Sequence, residues 1–383
     1  MTRKKSVGLA AAGILVLAVA AIPAMSTEVD PYWTGPYNVD PNWPQNPCGD
    51  GYQIGSSAGI FAETPNRVFV FARGCLPVLE DGGGVGGATD IVPDRNASGY
   101  DLSRDDAERH PKWSHVLYIL NREGKLIDNW DQHNDMFVRP HRVKINPYDP
   151  ERHVWVVDDS AQQITKFTHD GSEVVMQLGQ FREPGNDETH FGRPTDIAWL
   201  PDGTFFISDG YTNTRVVKFD KDGNYITSWG EPSERGVEER RPNYFRTVHG
   251  IAIDDNRRLY VIDRTNNRIQ IFDENGKFLE QWTDIKRPYY IYMSADQHLW
   301  IADATTQKFL KFDLNGNLLF QWGSFGAFPG GNWGVHQFAA DSDGNFYTAD
   351  VHIGRIQKYV PKPGANRDEL VGEWRPLSGS LTD

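Results

Sequence analysis

Hydrophobic and polar positions along this chain alternate in short runs instead of recurring at a helical spacing, and the runs come in sets of four. From Arg193 the sequence RPTDIAWLPDGTFFISDGYTNTRVVKFDKDGNYITSWG reads as a strand, an Asp-Gly turn and a strand ending in Asp. A short loop, a strand ending in Phe-Asp, a Gly turn and a strand ending in Trp-Gly complete the set. Period-two runs rich in β-branched and aromatic residues mark strands, and Gly, Asp and Asn clusters between them mark turns. The same order recurs from Thr247 (TVHGIAIDDNRRLYVIDRTNNRIQIFDENGKFLEQW) and from Arg287 (RPYYIYMSADQHLWIADATTQKFLKFDLNGNLLFQWG). One further copy runs from Arg139 to near Gly179, and another from Gly334 to near Trp374.

The first copy is divided. Its inner strands fall near Gly55 to Arg73, and its outer pair is HVLYILNREGKLIDNW, ending at Trp130. Six units of about 40 residues, each a four-stranded meander unable to bury both faces alone, predict an all-β six-bladed propeller with four-stranded blades. No 3.6-residue apolar stripe supports a helical solenoid instead. The predicted organisation is a signal segment over 1–26, an N-terminal arm over 27–51, the propeller over 52–376 with an insertion at 76–113, and a tail over 377–383. The insertion contains GGGVGG at Gly82–Gly87, which no Lys-Ser/Thr follows, so it is not a phosphate cradle. It is either a surface loop or a lid over the channel mouth. Gln180 to Phe191 reads as a shorter rim loop.

The N-terminus changes the compartment. Basic residues in Met1–Lys5, an apolar run from Val7 to Ala24 and a polar change at Ser26 have the layout of a secretory signal peptide. A retained anchor is the alternative, because about 17 to 20 apolar residues can span a bilayer. Export to the periplasm or the exterior is expected, with membrane attachment only if the segment is kept. The rest carries 12 Trp, 15 Tyr and 20 Phe against 5 Met, with 37 Gly and 23 Pro, which suits strands and turns. A net charge of −13 and the lack of a Lys/Arg cluster beyond the signal segment argue against nucleic acid. A monomer acting on a small molecule or peptide is expected. The two cysteines, Cys48 and Cys75, are expected to pair in an oxidising compartment, the alternative being two buried thiols; no C-x-x-C spacing supports a zinc finger.

Where the copies differ, chemistry enters. The residues at the start of the innermost strand in units two to six are His141, Thr195, His249, Tyr289 and His336. Blades of a six-fold ring sit about 60° apart, so alternate blades place side chains about 120° apart around the axis. Three imidazoles arranged in this way, with positions left open, suit a catalytic zinc or a similar divalent ion. The bland alternative is three unrelated strand-start histidines. The second strand of units two to six ends in Asp158, Asp209, Asp263, Asp303 and Asp350, which are expected to bond turn backbone. In the first unit FVFARG sets Arg73 at that place, on the histidine side of the ring. The loop that follows also holds Tyr211, Arg264 and His352. Tyr211 and Arg264 are candidates for proton transfer and anion binding, the alternative being ordinary rim side chains.

With these residues the chain resembles the peptidyl-α-hydroxyglycine α-amidating lyases, zinc-dependent six-bladed propellers, and their NHL-repeat relatives. The resemblance runs from about Val68 to Tyr359, and its most specific block is HFGRPTDIAWLPDGTFFISDGYTNTRVVKF from His190, followed by WGE at Trp229–Glu231. It implies that His141 in RPHRV, His249 in TVHGIAI and His336 in GVHQFAA hold zinc or another divalent ion. It also makes Tyr211 the active-site tyrosine, and Arg73 and Arg264 the active-site arginines. Two departures stand at the third histidine. The family has Met-Pro-His-Asp where this chain has Gly334-Val335-His336-Gln337; loss of the Met alters a channel-lining contact, and Gln337 in place of Asp puts in doubt the structural calcium ion that the resemblance otherwise implies.

The implied reaction cleaves an N-acyl carbinolamide to an amide and glyoxylate. The metal would polarise the hydroxyl, Tyr211 would remove its proton, and the two arginines would orient a carboxylate. A non-catalytic NHL-type binding propeller and a metal-dependent hydrolase using the same three histidines are the competing readings. Alternating histidines favour the metal-dependent ones.

Overall fold

The computed structural model describes residues 33–78, 113–236, 238–283 and 285–377. The signal segment at 1–26, most of the insertion at 76–113 with its GGGVGG run, and the end of the tail lie outside the described residues. Among the described residues there are six four-stranded antiparallel sheets. Their innermost strands are Ser57–Thr64, Pro140–Ile145, Pro194–Trp199, Val248–Ile253, Pro288–Met293 and Val335–Ala340. Each contacts the innermost strand of the next sheet, and the last contacts the first, so the sheets close into a six-bladed β-propeller. Burial falls outward within a blade: Pro140–Ile145 is buried throughout, whereas the outermost strand Val174–Leu178 is largely exposed.

The recurring Phe-Asp, Gly and Trp-Gly signature has a packing role. In the turn before the outermost strand, Asp273 Oδ1 accepts from the backbone N–H of Asn275 and of Lys277, both at 2.9 Å. Asp313 does the same one blade on, at 2.9 and 2.8 Å. The turn glycines Gly276 and Gly316 adopt φ of +81° and +83°, and a Cβ there would lie 2.7 and 2.8 Å from the Trp229 and Trp282 rings. Each of these tryptophans ends the preceding blade, so the glycine lets one blade seat its turn on its neighbour's aromatic ring.

Ring closure departs from the reading of the sequence. The sixth unit was expected to end near Trp374, but its fourth strand is Tyr37–Val39, from the segment assigned to the N-terminal arm. Tyr37 pairs with Pro361 and Val39 with Tyr359. Pairing an N-terminal strand with the three C-terminal strands completes the sixth blade and closes the ring. Buried Tyr37 fixes the join: its ring contacts Trp322, Phe346 and Tyr359, and its hydroxyl accepts from the Val371 N–H at 2.7 Å. A disulfide between Cys48 and Cys75 ties the N-terminal segment to the first blade. The segment around Trp374 instead caps the axial channel at the ends of the innermost strands, with the indole against Phe61 and Tyr292 at ring separations of 5.9 and 5.3 Å.

Candidate metal centre

The innermost strand of every blade carries a register shift at its second residue. Pro140 faces Asp158 and Arg142 faces Val157, so His141 has no partner in its own blade. The same shift skips Thr195, His249, Tyr289, His336 and, in the first blade, Ala58. A bulge turns one residue out of the ladder and frees its backbone groups. Six such residues ring the axis, and every second one is a histidine.

The freed groups are used between blades. His141 Nδ1 lies 2.6 Å from the carbonyl of Thr195, His249 Nδ1 2.7 Å from that of Tyr289, and His336 Nδ1 2.9 Å from that of Ala58. A carbonyl only accepts, so each Nδ1 carries the proton and each Nε2 presents a lone pair. Arg142 also abuts His336 Nδ1. Arg142 can only donate, so it competes with Ala58 at this nitrogen; the tautomer that leaves Nε2 free for a metal ion is the one in which the Ala58 carbonyl accepts. Fixing Nδ1 in this way sets tautomer and ring orientation, the role an outer partner plays for a metal-bound imidazole.

All three imidazoles are buried, and one ligand nitrogen from each falls within 4.8 Å of the others. Bonds of about 2.1 Å to a tetrahedral ion would hold such nitrogens about 3.4 Å apart, so modest ring rotations would complete the site. Burial, reinforced by His336, Arg142 and His249, holds His141 well below the ordinary imidazole range. Burial with Arg264 and Arg142 does the same for His249, and burial with Arg142 and His249 for His336. Neutral imidazoles with convergent lone pairs fit zinc or a similar divalent ion.

Tyr211 stands over this cluster, its hydroxyl 2.8 Å from His249 Nε2 and 3.2 Å from His141 Nε2. Arg264 approaches the same hydroxyl at 3.4 Å. Arg73 is buried on the His336 side, donating to Ser56 Oγ at 3.3 Å. Its position corrects the repeat alignment. In blade one it is Ala72 that faces Ser57, as Asp158 faces Pro140, so Arg73 sits one residue beyond the strand-ending Asp. That is also the place of Arg264 in blade four, after Asp263. Blades one and four are half a turn apart, so the two arginines occupy equivalent positions on opposite sides of the ring.

Other residues complete the pocket without having been singled out from the sequence. The Arg193 and Arg139 guanidinium groups stand 4.4 and 5.8 Å from the centre of the Tyr211 ring, with Arg264 at 5.0 Å. Buried Asp159 binds Arg139 at 2.6 Å and Arg193 at 3.1 Å, and comes within 4.0 Å of His141 Nε2. The signal for the arginines was the Arg-Pro pair opening three units at Arg139, Arg193 and Arg287. The signal for Asp159 was a second Asp directly after Asp158. Surplus positive charge around a half-buried phenol suits an anionic ligand. The strand-ending aspartates bond loop backbone as expected: Asp158 accepts from Val138 and Ala161 N–H at 2.8 Å, and Asp350 from Trp333 N–H at 2.8 Å.

The calcium site implied by the resemblance does not fit. Gln337 donates to the Val143 carbonyl at 2.8 Å, and the channel beside it holds buried Arg142 and Lys144. Lys144 Nζ binds Asp196 at 2.5 Å and the Ile197 carbonyl at 3.1 Å. A divalent ion there would face two buried cations and donor groups already engaged.

Residues 245–272 match the family model described as NHL repeat. Peptidyl-glycine alpha-amidating monooxygenase A of Xenopus laevis is 27% identical over 353 residues, 86% of this chain and 34% of that protein. A probable peptidyl-alpha-hydroxyglycine alpha-amidating lyase of Caenorhabditis elegans is 35% identical over 158 residues, 41% of this chain and 43% of that protein. The matched stretches thus span less than half the length of these two relatives. A solved Bacteroides thetaiotaomicron protein of unknown function shares the fold, with a TM-score of 0.53 and 11% identity over 85% of this chain and 76% of that one.

Proposed function

Because this chain is related to the peptidyl-α-hydroxyglycine α-amidating lyases, we propose that it is an exported, metal-dependent carbon–nitrogen lyase. Its substrate in this reading is an N-acyl α-hydroxyglycine, cleaved to the amide and glyoxylate. The observation that carries the proposal is the meeting of three neutral, Nδ1-anchored imidazoles with the Tyr211 hydroxyl, 2.8 and 3.2 Å from two of their Nε2 atoms. His141, His249 and His336 would hold the ion, with zinc favoured by the all-nitrogen, three-ligand set. When bound, the ion supplies a Lewis acid for the substrate hydroxyl.

The chain's own residues do the rest. Tyr211, as base, accepts the hydroxyl proton; the C–O bond becomes the aldehyde carbonyl of glyoxylate as the C–N bond breaks. The proton returns to the departing amide nitrogen, so atoms and charge balance. Arg264 on one side of the ring and Arg73 on the other orient the substrate carboxylate, and Asp159 keeps Arg139 and Arg193 packed over Tyr211. Export accords with the Cys48–Cys75 disulfide and with the apolar run at Val7–Ala24. Among the described residues no helix is long and apolar enough to cross a membrane.

The test is release of equimolar glyoxylate and amide from an N-acyl α-hydroxyglycine by metal-loaded protein. No release from folded, metal-occupied protein would exclude the amidating reaction, leaving a hydrolase at the same centre or a binding propeller.

A further inference from the structure

Below the imidazoles the channel is filled by charged side chains that the lyase reading leaves unused. Arg142, fully buried, follows His141 and reaches across to blades five and six. Its Nη1 donates to the His141 carbonyl at 3.0 Å and its Nη2 to the Tyr289 carbonyl at 3.0 Å. The Tyr289 carbonyl is also the acceptor that orients His249. On its third side the guanidinium lies against the His336 ring. One side chain therefore touches the support of all three candidate ligands: the backbone of the first, the anchoring carbonyl of the second and the ring of the third.

The surroundings hold that guanidinium in place. Its carbon lies 5.0 Å from the centre of the Tyr290 ring, with Lys144 Nζ at 5.3 Å from the same ring. Lys144 is bound to Asp196, whose Oδ2 accepts from the Ile251 N–H at 3.3 Å in the next blade. Gln337 joins blades six and two, donating to the Val143 carbonyl and accepting from the Val143 N–H at 3.4 Å. Inter-blade carbonyls that a metal ion could gather are here bound to a guanidinium, an ammonium and an amide.

We propose that Arg142 is a positioning residue for the three-histidine centre, and that with Lys144, Asp196 and Gln337 it cross-links the channel without a second metal ion. This rests on the reading of His141, His249 and His336 as the metal site. Outer partners of metal ligands typically govern affinity by about 10- to 100-fold. Arg142 should act in that range although it contacts no substrate.

The experiment titrates cobalt(II) into metal-stripped full-length protein and reads its visible spectrum, beside thermal unfolding with and without calcium. The wild type is expected to bind one cobalt tightly and to show no calcium-dependent shift in Tm. Arg142→Met is expected to bind cobalt about 10- to 100-fold more weakly with an altered spectrum. Arg142→Lys, which keeps the charge but reaches fewer carbonyls, should fall between. Should Arg142→Met fail to unfold cooperatively, Arg142→Lys against wild type gives the same reading. Equal affinity and spectrum in both variants overturn the positioning role alone, and a calcium-stabilised wild type overturns the metal-free floor. Absence of cobalt binding by the wild type overturns the three-histidine reading itself, and this inference with it.

Discussion

Blades two, four and six and blades one, three and five have the same backbone and opposite duties. At the bulged second residue of the innermost strand the even blades present His141, His249 and His336, whereas the odd blades present Ala58, Thr195 and Tyr289. The even blades contribute ring nitrogens, and the odd blades contribute the carbonyls that anchor those rings. One repeated distortion thus places both the candidate ligands and the carbonyls that orient them. Side-chain identity matters in the even blades, and backbone position in the odd ones.

The contrast breaks most visibly on the even side. His249→Ala should lower turnover of an N-acyl α-hydroxyglycine by more than about 10³-fold, because the proposed chemistry depends on the bound ion. Thr195→Val or Tyr289→Phe, which keep the carbonyls, should retain activity within about tenfold. Steady-state glyoxylate assays on all three variants check this.

Next in size is the proton transfer. Tyr211→Phe should lower kcat by about 10² to 10⁴-fold while metal content stays unchanged. Loss of metal along with activity would recast Tyr211 as part of the metal site. Release that persists in the variant would remove it as the base.

The opposed arginines give a smaller, differently shaped effect. Arg73→Met and Arg264→Met should each lower kcat/KM by about 10- to 100-fold, the range for a hydrogen bond to a charged group. Much of that loss should appear in KM, since their proposed task is to hold a carboxylate. A substrate amide lacking the carboxylate should be insensitive to both changes.

The smallest effect is on stability in the metal-stripped protein. Burial holds the three imidazoles below their ordinary range, so as pH falls below about 6.5 the unfolded chain takes up their protons and the folded one does not. Stability is therefore present above about pH 6.5 and declines as pH falls. The urea midpoint of metal-stripped wild type should drop between pH 7 and 5.5 more steeply than that of the triple His→Ala variant.

The architecture was legible because period-two strand runs recur in all six units, and the Trp that closes units one, three, four and five marks where one unit gives way to the next. Ring closure was not, since Tyr37–Val39 is a three-residue strand with no turn signal tying it to a partner more than 300 residues away. The alternating histidines stood out because the copies could be compared with one another. Arg73 was set one residue out of register because FVFARG has no strand-ending Asp, and Ala72 takes that place. The odd-blade carbonyls left no trace in the residue types, because backbone groups are the same at every position. Arg142 looked like a strand residue, and only the channel geometry gives it a role.

The most direct test of the centre is the metal content of protein prepared without chelator, measured with the triple His141/His249/His336→Ala variant and with Thr195→Val alongside. One zinc-like ion per chain in wild type and in Thr195→Val, and none in the folded triple variant, is the predicted result. A folded wild type that takes up no ion, or a triple variant that keeps it, would contradict the assignment.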